Sequence, residues 1–230
     1  MLYSYDIVGL MIMLPVFLFA VYTQSSIRNT YSQYSRIPNS RAMTGSDAAR
    51  YILDKNGLYH VQVTMVRGEL SDHYDPRTNT VALSQQVHSS ASIAAVGIAA
   101  HECGHAIQHE VNYAPLQLRS AIIPATNFAS SMAVPLFLIG YLLNSNTLIT
   151  IGIFAYILVA FFQLVTLPVE FNASRRAMQT IENDHLLEGS EVQGAEKILR
   201  AAAMTYVAAL ASALAQVLRL LLMSKSRRRD

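Results

Sequence analysis

The sequence predicts a mainly α integral membrane protein. Three to four transmembrane helices would carry a small α+β part, with short antiparallel strands and one motif-bearing helix, at the membrane face. Three observations predict this class. The chain is 52% hydrophobic and only 14% charged, which sets it apart from an ordinary soluble domain. Its apolar residues are gathered into runs close to the length that a bilayer core demands. Between the first two runs lies a long polar segment, in which strand-like alternation gives way to an Ala- and Ile-rich helical stretch.

Residues 7–22, IVGLMIMLPVFLFAVY, are the first run. Asp6 stands where a signal peptide would carry positive charge, and Tyr22-Thr23-Gln24 offers no A-x-A cleavage pattern. Residues 1–22 therefore read as an uncleaved anchor. Residues 23–119 form the main polar segment. Within it, 23–45 reads as a linker lying near the membrane, with Pro38 and Gly45. Thr44 or Ser46 caps a helix over 47–56 that Gly57 ends. His60–Val66 alternates and is rich in β-branched residues, so it reads as a strand. Residues 71–79 are turn-forming, and Thr80–Ser84 is a second strand, expected antiparallel to the first. Residues 91–108 are helical.

Residues 120–143 and 147–169 form two further apolar runs joined by Asn144-Ser145-Asn146, a transmembrane hairpin over 120–169. Residues 170–184 continue the third run as helix past Pro168, within a second polar segment over 170–200. Ser190 with Gln193 starts the last long helix. Residues 201–223 of that helix are the fourth candidate span, interrupted by Gln216 and Arg219, and 224–230 is a basic tail.

Net charge is only +2, but its placement matters more. Arginines and lysines lie in 23–119 and 170–200, while the N-terminus and the Asn-Ser-Asn turn have none. The positive-inside rule puts both polar segments in the cytoplasm. A simple four-span count leaves the basic tail outside, so the side of the C-terminus turns on whether 201–223 crosses fully. The tail reads as a solvated end beside anionic headgroups, and no nucleic-acid partner is expected. One cysteine excludes an intrachain disulfide and fits a reducing compartment.

The chemistry is concentrated in His101-Glu102-Cys103-Gly104-His105. A spacing of four on a helix brings both imidazoles to one face, where they can share a metal ion, and Glu102 is placed to take a proton from a water that the metal activates. The pattern is that of a zinc peptidase with Zn2+ as cofactor. A catalytic zinc needs a third protein ligand. The H-x-x-G-x-x-H form is absent, because Gln108 and Val111 stand at the required Gly and His positions. Glu170, where the third apolar run ends, is the choice; Glu182, Asp184, His185 and Glu188 are alternatives. Ser174, one turn beyond Glu170, is placed to hydrogen-bond a ligating histidine. Both ends of the hairpin return to one membrane face, which should bring His101, His105 and Glu170 together at the cytoplasmic boundary.

H-E-C-G-H-A-I-Q, the preceding D-H-Y-D-P-R-T-N-T-V-A-L-S and the later P-V-E-F-N-A-S-R-R-A resemble the bacterial YugP-type neutral membrane zinc metallopeptidases over nearly the whole chain. More distantly the chain is similar to the HtpX-like proteases and gluzincins. Those carry Asp four residues after the ligating Glu, where this chain has Ser174. The resemblance implies a zincin-like catalytic part in a bacterial inner membrane, with His101, His105 and Glu170 binding zinc and Glu102 as general base. The expected function is endoproteolysis of membrane or membrane-proximal proteins at the cytoplasmic face. A homo-oligomer or a regulatory membrane partner is compatible with it.

Candidates for stabilising the oxyanion are Asn172, Arg175, His185 and Tyr206. The strand Thr80–Ser84 reads either as sheet core or as an edge on which an extended substrate pairs. Asp72, His73 and Asp75 read as turn and capping residues, and His88 and His109 lack partners at ligand spacing. Three other function classes are weighed. An intramembrane protease would take an Asp from a later span, and residues 120–169 contain none. A non-catalytic scaffold would not require Glu102 beside its metal ligand. A transporter would place ionisable groups within the spans, and the second and third have none.

Overall fold

The computed structural model describes residues 2–227, with side chains from residue 8 to residue 225. Residues 228–230, the end of the expected basic tail, lie outside the described residues. The order is α1 (Leu2–Tyr34), α2 (Gly45–Lys55), β1 (Gln62–Val66), β2 (His73–Asp75), β3 (Thr80–Ser84), α3 (Gln85–Ser89), α4 (Ile93–Glu110), α5 (Ala114–Leu142), α6 (Asn146–Asn183) and α7 (Ser190–Arg227). Among the described residues, four helices are long and apolar enough to cross a membrane: Val8–Tyr34 of α1, α5, α6, and Ser190–Lys225 of α7. The protein is a mainly helical membrane protein with a small three-stranded sheet.

The chain forms two compact units. The first comprises Met1–Gln24, Leu118–Leu167 and Thr205–Asp230. Here α5 and α6 approach closely because glycines face the partner backbone. A Cβ on Gly152 would sit 2.8 Å from Phe137 N and 2.9 Å from Ala133 O, and one on Gly140 would sit 2.7 Å from Ile149 N. Small residues of this kind drive helix association where lipid removes the hydrophobic incentive. Phe137, Ile149, Ile153 and Leu220 form the unit's core. Phe17, Phe128 and Phe154 stay 61%, 71% and 66% exposed, an outward apolar surface suited to a lipid environment. Asn144, at φ 56°, turns the chain between α5 and α6.

The second unit comprises Ser25–Gln117 and Pro168–Met204. The segment expected as a linker from residue 23 begins instead as the continuation of α1 to Tyr34. Ile27 and Tyr31, four apart, bury into this unit's core and Tyr34 packs against it. The hydroxyl-rich composition of 23–35 has weak helix propensity, and so few apolar positions leave the period faint. Helix α2 opens on a capping box: Thr44 Oγ1 accepts from Asp47 N at 3.1 Å and Asp47 Oδ2 accepts from Thr44 N at 3.1 Å.

The strands correct the expected pairing. β1 and β3 are parallel, with Gln62 opposite Thr80. The antiparallel partner of β3 is β2, with Tyr74 opposite Val81. The strand order β1-β3-β2 leaves β3 paired on both sides, so it is sheet core and offers no edge. A three-residue strand is too short to show alternation, and residues 76–79 close the β2–β3 hairpin, not one between β1 and β3. Gly68 (φ 106°) and Leu70 (φ 52°) help the connection from Val66 cross to the far side of β3. Asp75 accepts from Arg77 N (2.9 Å) and acts as a turn residue as expected, whereas Asp72 accepts from Ser84 N (2.7 Å) and Ser84 Oγ (3.2 Å), tying the β1–β2 connection to the end of β3. Burial pushes the Asp72 carboxyl up, against the hydrogen bonds from Ser84. The core gathers Ile52, Leu53, Val81, Leu83, Ile181 and Ile198 with small residues of α4.

Candidate metal centre

Helix α4 starts at Ser92, whose hydroxyl accepts from Ala95 N at 3.2 Å. Its apolar first half is buried, which fixes the helix about its axis and presents His101 and His105 on one face. Their rings meet edge to face with centroids 4.8 Å apart. Helix α6 supplies Glu170 opposite them. The two helices can approach because Gly104 faces Ala173: a Cβ there would lie 2.7 Å from Ala173 O and 3.2 Å from its Cα.

Glu170 Oε2 lies 3.4 Å from His101 Nε2 and 3.6 Å from His105 Nε2. Bonds of about 2.0–2.1 Å to a tetrahedral zinc imply ligand–ligand spacings of about 3.3 Å. The residues present therefore fit that ion. His101, His105 and Glu170 are the group of potential ligands found together among the described residues, with donor atoms within 4.8 Å of one another. Glu170 is 3% exposed, a burial that a carboxylate tolerates when cationic or metal partners face it. For His105, burial disfavours the proton, but the facing Glu170 carboxylate and the charge of Glu102 outweigh it and hold its pKa above the ordinary value.

Both imidazoles are fixed from behind through Nδ1, which leaves Nε2 for the metal. His101 Nδ1 is 3.2 Å from Ser174 Oγ, the contact expected of a serine one turn beyond Glu170. His105 Nδ1 donates to Gln108 Oε1 at 3.0 Å. Gln108 is fully buried, and its Nε2 donates to Val169 O (2.8 Å) and Asn172 Oδ1 (3.0 Å). One side chain thus joins the motif helix to the backbone immediately before Glu170. Its place three residues after His105 is the signal by which the sequence could have shown it.

Glu102 is 8% exposed and makes no hydrogen bond or ion pair among the described residues, so its carboxylate is available to accept a proton. Cys103 is sealed, with Sγ directed to Ala49 O at 3.6 Å; burial, then the Glu102 charge, pushes its thiol up.

The oxyanion candidates fare differently. Asn172 Oδ1 is occupied by Gln108 and by Arg176 Nε at 2.9 Å. Arg175 is exposed, three residues beyond Asn172 on α6. His185 lies in the turn after α6 at φ 51°; the 13 residues from Glu170 to Asn183 span about 20 Å of helix. Glu182 lies on the last turn of the same helix, Asp184 and Glu188 lie in the connection to α7, and Asp184 is paired with Lys55. Tyr206 belongs to the unit of membrane helices. A pair not anticipated is Tyr74 on β2 with His109, one turn beyond His105: the phenol oxygen is 3.1 Å from His109 Nδ1 and donates to Asn79 Oδ1 at 3.2 Å. Burial, then Glu110 and Asp75, raises the Tyr74 pKa, which keeps the phenol protonated.

Residues 9–225 match the family model described as "Putative neutral zinc metallopeptidase". A curated relative, "Putative membrane protease YugP" of Bacillus subtilis (strain 168), is 48% identical over 198 residues, covering 86% of this chain and 88% of that protein. No solved structure matches the chain.

Proposed function

The chain belongs to the neutral zinc metallopeptidase family, and from that premise we propose that it is a membrane-integrated zinc endopeptidase. It would cleave membrane or membrane-proximal proteins at the cytoplasmic face of a bacterial inner membrane. The observation that carries the reading is the convergence of His101 Nε2, His105 Nε2 and Glu170 Oε2 with spacings of 3.4 and 3.6 Å to the carboxylate. These three residues hold the zinc. When bound, zinc supplies the Lewis acidity that acidifies a water and polarises the scissile carbonyl.

Glu102 is the general base. Its unpaired carboxylate takes the proton of the attacking water and passes it to the leaving amine. Gln108 Oε1 fixes the tautomer of His105 and Ser174 orients the His101 ring, so that each Nε2 is aimed at the metal. With β3 paired on both sides, an extended substrate pairs along β2, the sheet edge that carries Tyr74. The cytoplasmic orientation rests on the arginines and lysines of 23–119 and 170–200.

The test is zinc content and casein or peptide cleavage of the purified protein beside Glu102→Gln. The variant should keep its zinc and lose activity by about 10²–10⁴-fold, the share of a positioned acid–base group. Equal activity in the two proteins, or zinc in neither, would refute the reading.

A further inference from the structure

The second unit holds a cavity of about 860 Å³ between α1, α3, the β1–β2 connection and the first turn of α4. Arg28 and Ser32 line it from α1, four apart and so on one helix face, and Arg36 lines it from the turn two residues past the end of α1. Asn29 and Ser35 flank them. Neither arginine has an ion-pair or hydrogen-bond partner for its guanidinium among the described residues. The sequence explains why: no Asp or Glu occurs between Asp6 and Asp47, so this stretch of α1 carries no carboxylate. The carboxylate that does line the cavity, Glu69, accepts from Gln86 Nε2 at 3.3 Å, and Gln86 Oε1 accepts from Tyr31 Oη at 2.9 Å.

We propose that this cavity binds a phosphate-bearing anion, held by the Arg28 and Arg36 guanidinia and the Ser32 hydroxyl that line it. Arginine forks match phosphate oxygens two at a time, and charge-assisted bonds of this kind are the strong ones. A phospholipid headgroup and a soluble phosphate share this chemistry. The headgroup has the shorter route, because Arg28 lies six residues beyond Tyr22, the last residue of the apolar run on the same helix, about 9 Å of rise. Nothing in the zinc chemistry uses these residues. An occupant would touch Ser92 and Ala95, the cap and first turn of the helix that carries His101.

The experiment uses the full chain in detergent and in nanodiscs. One arm measures retention of phosphatidylglycerol against phosphatidylcholine by native mass spectrometry; the other measures binding of inorganic phosphate by calorimetry. Arg28→Gln/Arg36→Gln should weaken phosphatidylglycerol binding about tenfold or more, with zinc content and hydrolysis of a soluble peptide in detergent unchanged. Ser32→Leu, which replaces the lining hydroxyl with apolar bulk and keeps both charges, should weaken it too. If inorganic phosphate binds and shows the same dependence while lipid does not, the site stands with a soluble ligand. The proposal is overturned if neither probe binds. It is equally overturned if Arg67→Gln/Arg77→Gln, which removes the same charge elsewhere, matches the loss. Zinc content and peptide hydrolysis report separately on the peptidase reading.

Discussion

Gln108 accepts the Nδ1 proton of His105 at 3.0 Å while the other end of its amide grips α6 through Val169 O and Asn172 Oδ1. The orientation of one metal ligand and the placement of another thus share a single buried side chain. Gln108→Leu keeps the volume and removes all three hydrogen bonds. Zinc affinity should fall about 10–100-fold, as when other partners of ligating histidines are removed, with helical content retained by circular dichroism. A chelator competition giving the wild-type affinity would show that Gln108 has no part in holding the centre.

Gly104 lets α4 and α6 touch. Gly104→Ala would place a methyl 2.7 Å from Ala173 O, which a helix backbone cannot yield. The expected cost is about 1–3 kcal/mol of stability, with weaker zinc binding because Glu170 is carried away from the histidines. Gly97 is the comparison, since its added Cβ would meet Ala195 Cβ at 3.3 Å. Gly97→Ala should therefore do less to both the melting temperature and the metal. Equal effects would mean that the close approach at Gly104 is not what sets the site.

Metal removal gives a stability test of the three ligands together. Zinc at about a thousandfold above its Kd should stabilise the protein by about 4 kcal/mol, seen as a fall in melting temperature on chelation. Glu170→Ala should melt at the same temperature with and without chelator. Asp184→Asn, in a pair with Lys55 at the far end of α6, should keep the full difference.

The cap of α2 predicts an acid limb. The Thr44 hydroxyl, then its backbone N–H, holds the Asp47 carboxyl below its ordinary value. A carboxylate depressed in the folded state contributes stability that is complete above the unfolded value of about 3.9 and is lost as pH falls through the folded value. In chelated protein, wild type and Asp47→Asn should therefore differ above about pH 4 and converge in stronger acid. Thr44→Ala should cost about 1 kcal/mol at neutral pH. A difference that grows as pH falls would reverse the sign and sink the argument.

Much of the site's outline was legible from sequence. The spacing of His101 and His105 needs only helix geometry, and the end of an apolar run singled out Glu170, whose Oε2 the structure brings to 3.4 and 3.6 Å from the two Nε2 atoms. Ser174 followed from a one-turn offset. Gln108 was invisible as a partner because its value lies in two acceptors on another helix, Val169 O and Asn172 Oδ1, that no local pattern reports. The sheet was misread for a related reason. Pairing is decided by where residues 67–72 carry the chain, and β2 is too short to announce itself, so Thr80–Ser84 was matched to the earlier strand in the wrong direction. The helical part of 25–34 was hidden by its hydroxyls, since only Ile27, Tyr31 and Tyr34 mark the buried face.

Cys103, the chain's one thiol, sits between the two histidines yet is turned into the core and fully buried. The donor atoms facing the candidate centre are imidazole nitrogens and a carboxylate oxygen, none of which peroxide or disulfide exchange converts into a poorer ligand. Zinc held by thiolates can be discharged by oxidants; a centre built this way has no such release route. It should keep its metal through swings in cellular redox state that would empty a cysteine-built one.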